Sequence, residues 1–181
     1  MNSNKSKTFL TVASILGALM VPQDYAYSKT YLTIDQAKEV LFENSSMEAI
    51  EVFLTKEQMK SIRKSSKTRV RNSKMNIWKT RNGDWFIVDN VVGKHEYIDI
   101  AVSISKAGKV QGVEVLTYRE TYGDEVMNKK WLAQFLGKDN SEILKLDQQI
   151  KNISGATLSC RHITDGVNRL THTWDQVLKF L

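Results

Sequence analysis

The chain has 181 residues, of which 41% are hydrophobic and 25% charged, a balance typical of a folded globular protein and not of a disordered one. Its single cysteine, Cys160, excludes a disulfide framework, a four-cysteine zinc site and haem attachment through a CxxCH motif. The net charge of +6 permits an anionic partner without requiring one.

Residues 1–28 have the pattern of a secretory signal peptide. Lys5 and Lys7 precede an apolar run over residues 9–21, and a polar stretch with small residues ends at Ser28, where cleavage is expected. The apolar run is shorter than the roughly 20 residues that a membrane-spanning helix needs. We therefore expect export to the periplasm or to the outer face of the cytoplasmic membrane. An uncleaved anchor is the alternative and gives the same location.

Two segments after the leader open with the same helix-start pattern. Each begins with a threonine that is followed three residues later by a glutamine: Thr33 and Gln36, Thr55 and Gln58. Together with flanking apolar pairs, this is a capping box with a hydrophobic staple. The pattern predicts helices over 33–43 and 55–65, and hence a helical N-terminal region over 29–74.

The middle of the chain has the alternation of an antiparallel meander. Four strands are predicted, over 75–80, 85–90, 97–104 and 110–118. The sequence Arg81-Asn82-Gly83-Asp84 is a hairpin turn signal between the first two strands. Ala107-Gly108 turns the chain between the last two.

Helical patterns return after residue 127. Asn128 is the expected cap of a short helix whose Trp131 and Phe135 share one face. Over residues 163–181, apolar side chains recur at steps of three or four, which predicts a long C-terminal helix with Ser159 as its N-cap. Helices that flank a contiguous antiparallel meander predict an α+β domain.

The strongest chemical signal is the stretch Ser154-Gly155-Ala156-Thr157, just before the last helix. Small side chains let a bulky group approach the backbone closely. A helix N-terminus offers free N–H groups and a positive dipole to a phosphate. The stretch therefore suits a phosphate held at or attached to Thr157, within reach of the N–H groups of Ser159 to Arg161. Physical reasoning alone favours the alternative, a helix cap rich in Ser and Thr that binds no ligand.

This stretch resembles the flavinylation motif of the FMN-binding domain family, which includes flavin-carrying subunits of the sodium-pumping NADH:quinone oxidoreductase and of the Rnf electron-transport complex. The resemblance covers about residues 75–170 and continues, in the right order, through further segments at 92–95, 108–110, 115–123 and 131–138. It implies an FMN-binding domain over 75–181. It also implies that a separate flavin transferase attaches FMN to Thr157 through a phosphoester bond.

The resemblance places Tyr118 and Glu120 near the flavin, with the simple end of a strand before a loop as the alternative. Arg161 in the first turn of the last helix can donate to a phosphate on Thr157, with a solvated first turn as the alternative. Trp131 can flank the isoalloxazine ring, with core packing of its helix as the alternative. The predicted FMN-binding residues are Tyr118, Glu120, Trp131, Ser154, Gly155, Ala156, Thr157, Leu158, Ser159 and Arg161.

Lys151, Cys160 and the three histidines also bear on the chemistry. Lys151 stands where the family usually has an acidic residue, three positions before the motif serine. This departure is expected to affect recognition by the transferase more than FMN binding. Cys160 is expected to be a small buried helix residue and not a reactive thiol. No catalytic residue or metal site is predicted, because the three histidines lack metal-ligand spacing.

By resemblance, the protein is an exported flavoprotein that relays electrons, with the redox chemistry supplied by FMN. The implied partners are the flavin transferase and a cytochrome, an iron–sulfur protein or a membrane quinone-linked protein. The chain has no GxGxxG nicotinamide motif. Alternatives from other classes are a non-redox exported binding module and a flavin-dependent reductase of a small substrate.

Residues 60–74 are dense in lysine and arginine and are predicted to form a helix end and an exposed loop. A solvated surface is the default interpretation. An acidic redox partner or an anionic lipid surface is the functional alternative, and export makes nucleic acid an unexpected partner.

Overall fold

The computed structural model describes residues 29–43 and 45–181. The predicted signal peptide lies outside these residues. Within them, no helix combines the length and the apolar character needed to cross a membrane.

Six antiparallel strands form one sheet within the described residues. They are β1 (Lys29–Thr30), β2 (Met47–Phe53), β3 (Lys74–Thr80), β4 (Trp85–Val92), β5 (Tyr97–Ile104) and β6 (Val110–Tyr118). The spatial order is β1-β6-β5-β4-β3-β2, so β2 to β6 run as a meander. The predicted turn between β3 and β4 contains Gly83 at φ +89°. These observations confirm the predicted antiparallel meander.

Strand β2 was not predicted, and it falls inside the region that was expected to be helical. It pairs with β3 over all seven of its residues. At the edge of the sheet, only Val52 of this strand is fully buried. The apolar alternation that marks a half-buried strand is therefore weak here.

In the same described residues, four α-helices accompany the sheet: α1 (Ile34–Phe42), α2 (Lys56–Ser66), α3 (Lys129–Leu132) and α4 (Thr157–Gln176). Both predicted capping boxes are present, with Thr33 and Thr55 as N-caps. The Asn128 side chain caps α3 by accepting from the Lys130 N–H. The combination of sheet and helices confirms the α+β class.

The helices cover both faces of the sheet. Ile87 packs in one cluster with Ile62 of α2 and Ile163 of α4, while its neighbour Phe86 packs in another with Ala37 of α1. Because successive strand residues point to opposite faces, α1 lies on the face opposite to α2 and α4. This arrangement brings the start of α4 to the sheet edge where β6 ends.

Candidate functional site

The turn before α4 presents Thr157 at the first position of the helix. Gly155 takes φ +89°, and the Ala156 N–H closes the turn on the Ile153 carbonyl at 3.0 Å. The predicted N-cap, Ser159, is wrong, because the N-cap is Ala156, three residues earlier, and the helix begins at Thr157. The first helical bond runs from the Cys160 N–H to the Ala156 carbonyl. The free N–H groups are therefore those of residues 157–159, and not those of residues 159–161 as predicted.

The Thr157 hydroxyl is held by a neighbouring amide. Asn152 Nδ2 donates to Thr157 Oγ1 at 3.0 Å, and Asn152 Oδ1 is buried without a hydrogen-bond partner among the described residues. As an acceptor in this bond, the hydroxyl keeps its proton for another group. A phosphoester oxygen has no proton and can still accept, so the bond from Asn152 is compatible with both forms.

The backbone before Asn152 is anchored to the region of α3. Trp131 Nε1 donates to the Lys151 carbonyl at 2.7 Å, and the Lys151 N–H donates to Gln134 Oε1 at 2.8 Å. Trp131 is 5% exposed and packs edge-to-face on Phe135 at 5.3 Å between ring centroids. The structure thus places Trp131 in the core, where it holds the loop backbone and does not line a cavity beside Thr157.

A cavity of about 550 Å³ opens beside Thr157, and we call it the motif cavity. Its lining residues are Lys94, His95, Glu120, Thr121, Tyr122, Gly155, Ala156, Thr157, Leu158 and Ser159. Its size is in the range of small-molecule and cofactor sites. Of the predicted site residues, Ser154 is exposed in the adjoining turn, while Tyr118, Trp131 and Arg161 do not line this cavity.

Sequence reasoning assigned no site role to Lys94, His95, Thr121 or Tyr122. The first two lie in the turn between β4 and β5, and Thr121 and Tyr122 follow β6. Because Asp99 of β5 pairs with Thr117 of β6, this turn and the end of β6 share one edge of the sheet. Lys94 and His95 lie in the segment 92–95, which carried part of the family resemblance. That resemblance was the sequence feature from which a site role for these two residues could have been predicted.

Glu120 ties that turn to the end of β6. Its Oε1 accepts the N–H groups of His95 at 2.6 Å and of Glu96 at 3.0 Å. Burial acts to raise the pKa of Glu120, but the backbone donors outweigh it and hold the pKa below its ordinary value. A Cβ on Gly93 would meet Glu120 Oε1 and would lie 2.8 Å from the backbone carbonyl oxygen of Glu96, so the turn needs a glycine there. Glu120 is thus a buttress for the cavity wall.

Tyr118 does not line the motif cavity but contacts two residues that do, Tyr122 and Ser159. Its hydroxyl donates to the Tyr122 carbonyl at 2.6 Å and lies 2.9 Å from Ser159 Oγ. Burial raises the pKa of the Tyr118 phenol, which therefore stays protonated at neutral pH. This network joins the end of β6 to the first turn of α4 and explains why Ser159 does not cap the helix.

Arg161 lies one helical turn after Thr157, at the border of a second cavity of about 390 Å³ that Thr157 also lines. Its guanidinium is exposed, in agreement with a charged first turn. Cys160, in contrast, is fully buried, and burial raises the pKa of its thiol. The thiol is therefore protonated and enclosed, as the sequence predicted for a structural residue.

Residues 93–172 match the model of a protein family, the FMN-binding domain. The chain therefore contains an FMN-binding domain in this segment, which spans 80 of its 181 residues. It is also 34% identical over 107 residues to the G subunit of the ion-translocating oxidoreductase complex of Shewanella piezotolerans, an alignment that covers 51% of this chain and 50% of that protein. The chain thus spans about half the length of the curated relative it matches. The predicted family and the predicted cofactor, FMN, are confirmed.

The motif cavity has the chemistry that FMN requires. The free N–H groups of residues 157–159 and the side chains of Lys94 and His95 suit a phosphate. Tyr122, which is 83% exposed at the cavity, offers a flat surface to an aromatic ring. The unpartnered Asn152 Oδ1 beside Thr157 marks a position with unused hydrogen-bonding capacity.

Proposed function

We propose that the protein is an exported flavoprotein that carries FMN on Thr157 in phosphoester linkage and relays electrons between redox partners. The observation that carries the proposal is the Thr157 hydroxyl, held by Asn152 at the border of a cavity suited to FMN. The flavin supplies one- and two-electron chemistry. The protein supplies attachment, orientation and the surrounding charge.

Attachment exchanges one P–O bond for another. Thr157 Oγ1 bonds to the flavin phosphate, loses its proton and displaces a leaving phosphate from a flavin phosphoanhydride donor. The reaction needs a separate flavin transferase, because the described residues offer no catalytic base in hydrogen-bond contact with Thr157 Oγ1. The hydrogen bond that Asn152 donates to Thr157 Oγ1 holds this oxygen in a fixed orientation. The free N–H groups of residues 157–159 bind the phosphate oxygens.

Electron relay is supported by the relative's description as a subunit of an ion-translocating oxidoreductase complex. The absence of a nicotinamide motif from the sequence points to electron delivery by a partner protein. A cytochrome, an iron–sulfur protein or a membrane quinone-linked protein fits that role, since FMN connects two-electron and one-electron couples.

The attachment is tested by intact-mass measurement after co-expression with a flavin transferase. Wild type should gain the mass of one FMN less water, and Thr157→Ala should gain none because the bonding oxygen is gone. Thr157→Ser should retain part of the modification, and Ser154→Ala, the matched hydroxyl control, should retain it fully. Flavin that persists on Thr157→Ala would contradict the assignment.

Lys151 has its own variant in the same experiment. If wild type stays unmodified while a known substrate of the transferase is labelled, Lys151→Asp should restore modification. If Lys151→Asp also stays unmodified, the flavoprotein proposal fails and the protein is interpreted as a non-redox binding module.

Export is tested by fractionation of cells that carry a C-terminally tagged full-length chain. The tagged protein should be found outside the cytoplasm and shortened by residues 1–28. Full-length protein confined to the cytosol would contradict this part of the proposal alone.

A further inference from the structure

Two adjoining cavities form a basic groove on the surface next to Thr157. The first, of about 390 Å³, is lined by Thr157 and by Lys67, Lys145 and Arg161. The second, of about 260 Å³, is lined by Lys67, Arg69 and Arg71. Lys67 and Asp165 border both cavities, so the two lie side by side on the surface. We define the basic groove by its five exposed cations: Lys67, Arg69, Arg71, Lys145 and Arg161.

Within the described part of the chain, the cations of the basic groove outnumber the carboxylates that line it, by five to two. None of the five cations forms an ion pair there, although seven other pairs are formed elsewhere in the same residues. The acidic residues that line the two cavities are Asp147 and Asp165. A concave surface with an excess of one sign focuses the field and attracts the opposite charge.

The loop after α2, which carries Lys67, Arg69 and Arg71, is held in place by hydrogen bonds to its backbone. Arg169 of α4 has a buried guanidinium that pairs with Asp89 at 2.6 Å and donates to the Arg69 carbonyl at 3.0 Å. The Ser66 hydroxyl accepts the Thr68 N–H at 3.2 Å. The basic side chains therefore project from a backbone that α4 holds in place, which lowers the ordering cost of binding a partner.

We infer that the basic groove is a docking surface for an acidic protein that exchanges electrons with FMN on Thr157. Arg161 and Thr157 lie four residues apart on α4, so a partner that contacts Arg161 approaches the attachment point directly. The docking part stands on the charges and cavities alone. The electron-exchange part rests on the proposed function.

The shape and composition of the groove favour a protein over a membrane. Cavities of this size admit individual carboxylate side chains. A helix or loop that binds a membrane also presents large apolar side chains to the lipid. None of the large hydrophobic residues that are exposed in the described part of the chain lines the groove.

The docking part is tested with a synthetic peptide of alternating glutamate and glycine, by fluorescence anisotropy with the holoprotein. Binding should be measurable at about 20 mM salt and weaken strongly at about 200 mM, since exposed charges are then screened. The triple variant Lys67→Glu, Arg69→Glu, Arg71→Glu should lose at least tenfold in affinity. The triple control Lys56→Glu, Lys106→Glu, Lys130→Glu changes the net charge equally at exposed lysines outside the groove and should lose much less. Equal losses in the two triples would overturn the proposal.

Location and partner class are tested on the same proteins. Carbodiimide coupling, which joins a carboxylate to a lysine amine with loss of water, should link the peptide to Lys67 and Lys145. Links spread over lysines elsewhere would overturn the docking site. Wild-type binding to phosphatidylserine vesicles without binding of the peptide would replace the protein partner by a membrane. Thr157→Ala keeps all five cations of the basic groove and should still bind the peptide, which separates this test from failure of FMN attachment.

The electron-exchange part is tested by oxidation of the chemically reduced holoprotein, in which each reduced FMN gives two electrons to two acceptor ions. Ferricyanide, an anion, should oxidise the groove triple variant several-fold more slowly than wild type. Hexaammineruthenium(III), a cation, should not be slowed. Equal changes with both acceptors would overturn this part.

Discussion

Two of the three segments that line the motif cavity, the loop after β6 and the loop before α4, are held in very different ways. The loop after β6 is tied down by Glu120, which binds the neighbouring turn, and by the Tyr118 hydroxyl. Its Gly123, at φ +93°, is packed so closely that an added Cβ would lie 2.7 Å from Tyr118 Oη. The loop before α4 has Gly155 at φ +89°, with no atom within 4 Å of an added Cβ.

This difference fits the proposed function, in which another enzyme attaches FMN to Thr157. A fixed wall can orient a ring without reorganising when it binds. Under that proposal, the loop that carries Thr157 must stay accessible, because a transferase has to reach its hydroxyl. Ser154 and Gly155 are accordingly exposed, while Asn152 and the anchors on Lys151 hold the loop from its other side.

The largest expected effect comes from substituting the two glycines in parallel. Both Gly123→Ala and Gly155→Ala should cost about 1–2 kcal/mol for a side chain at positive φ. Gly123→Ala should cost a further 1–3 kcal/mol or so, because the methyl group displaces Tyr118 Oη and Ser159 Oγ. Urea unfolding of both variants measures the difference. Equal losses would show that the loop after β6 is no more tightly packed than its counterpart.

A smaller effect is expected from Asn152→Ala. Loss of the hydrogen bond to Thr157 Oγ1 should slow flavin transfer about tenfold, equivalent to roughly 1.4 kcal/mol. The loss should appear in the kcat of the transferase with little change in KM, because Asn152 positions the nucleophile. Gln148→Ala, which removes an exposed amide from the same segment, should leave the rate unchanged. An unaltered rate in Asn152→Ala would show that the accessible loop needs no such support.

The smallest effect concerns the pH dependence of stability. The pKa of Glu120 is below its ordinary value in the folded state, so its contribution is present at neutral pH and is lost as the pH falls through that lowered pKa. Glu120→Gln should therefore be less stable than wild type at pH 7 by at most about 1 kcal/mol, and the gap should close in acid. Glu48→Gln, at an exposed position of β2, should show no such closing gap. Thermal unfolding between pH 3 and pH 7 measures both, and a constant gap for Glu120→Gln would contradict the buttress role.

The sequence by itself determined the elements whose signals are local. Capping boxes at Thr33 and Thr55, the turn at Gly83 and the alternation of β5 and β6 depend on neighbours within a few residues, and the structure confirms each of them. The motif and its resemblance likewise sufficed to predict the family and FMN.

Only the tertiary structure decided features that depend on partners far along the chain. The Ser159 hydroxyl meets Tyr118, 41 residues away in sequence, and so does not cap α4. Trp131 meets the Lys151 backbone and not a cavity. Lys94 reaches the site because antiparallel pairing brings its turn beside the end of β6, and the five cations of the basic groove come from three separate segments. A local pattern cannot encode these contacts, since each hydrogen bond or charge finds its partner only when the sheet and α4 have packed together.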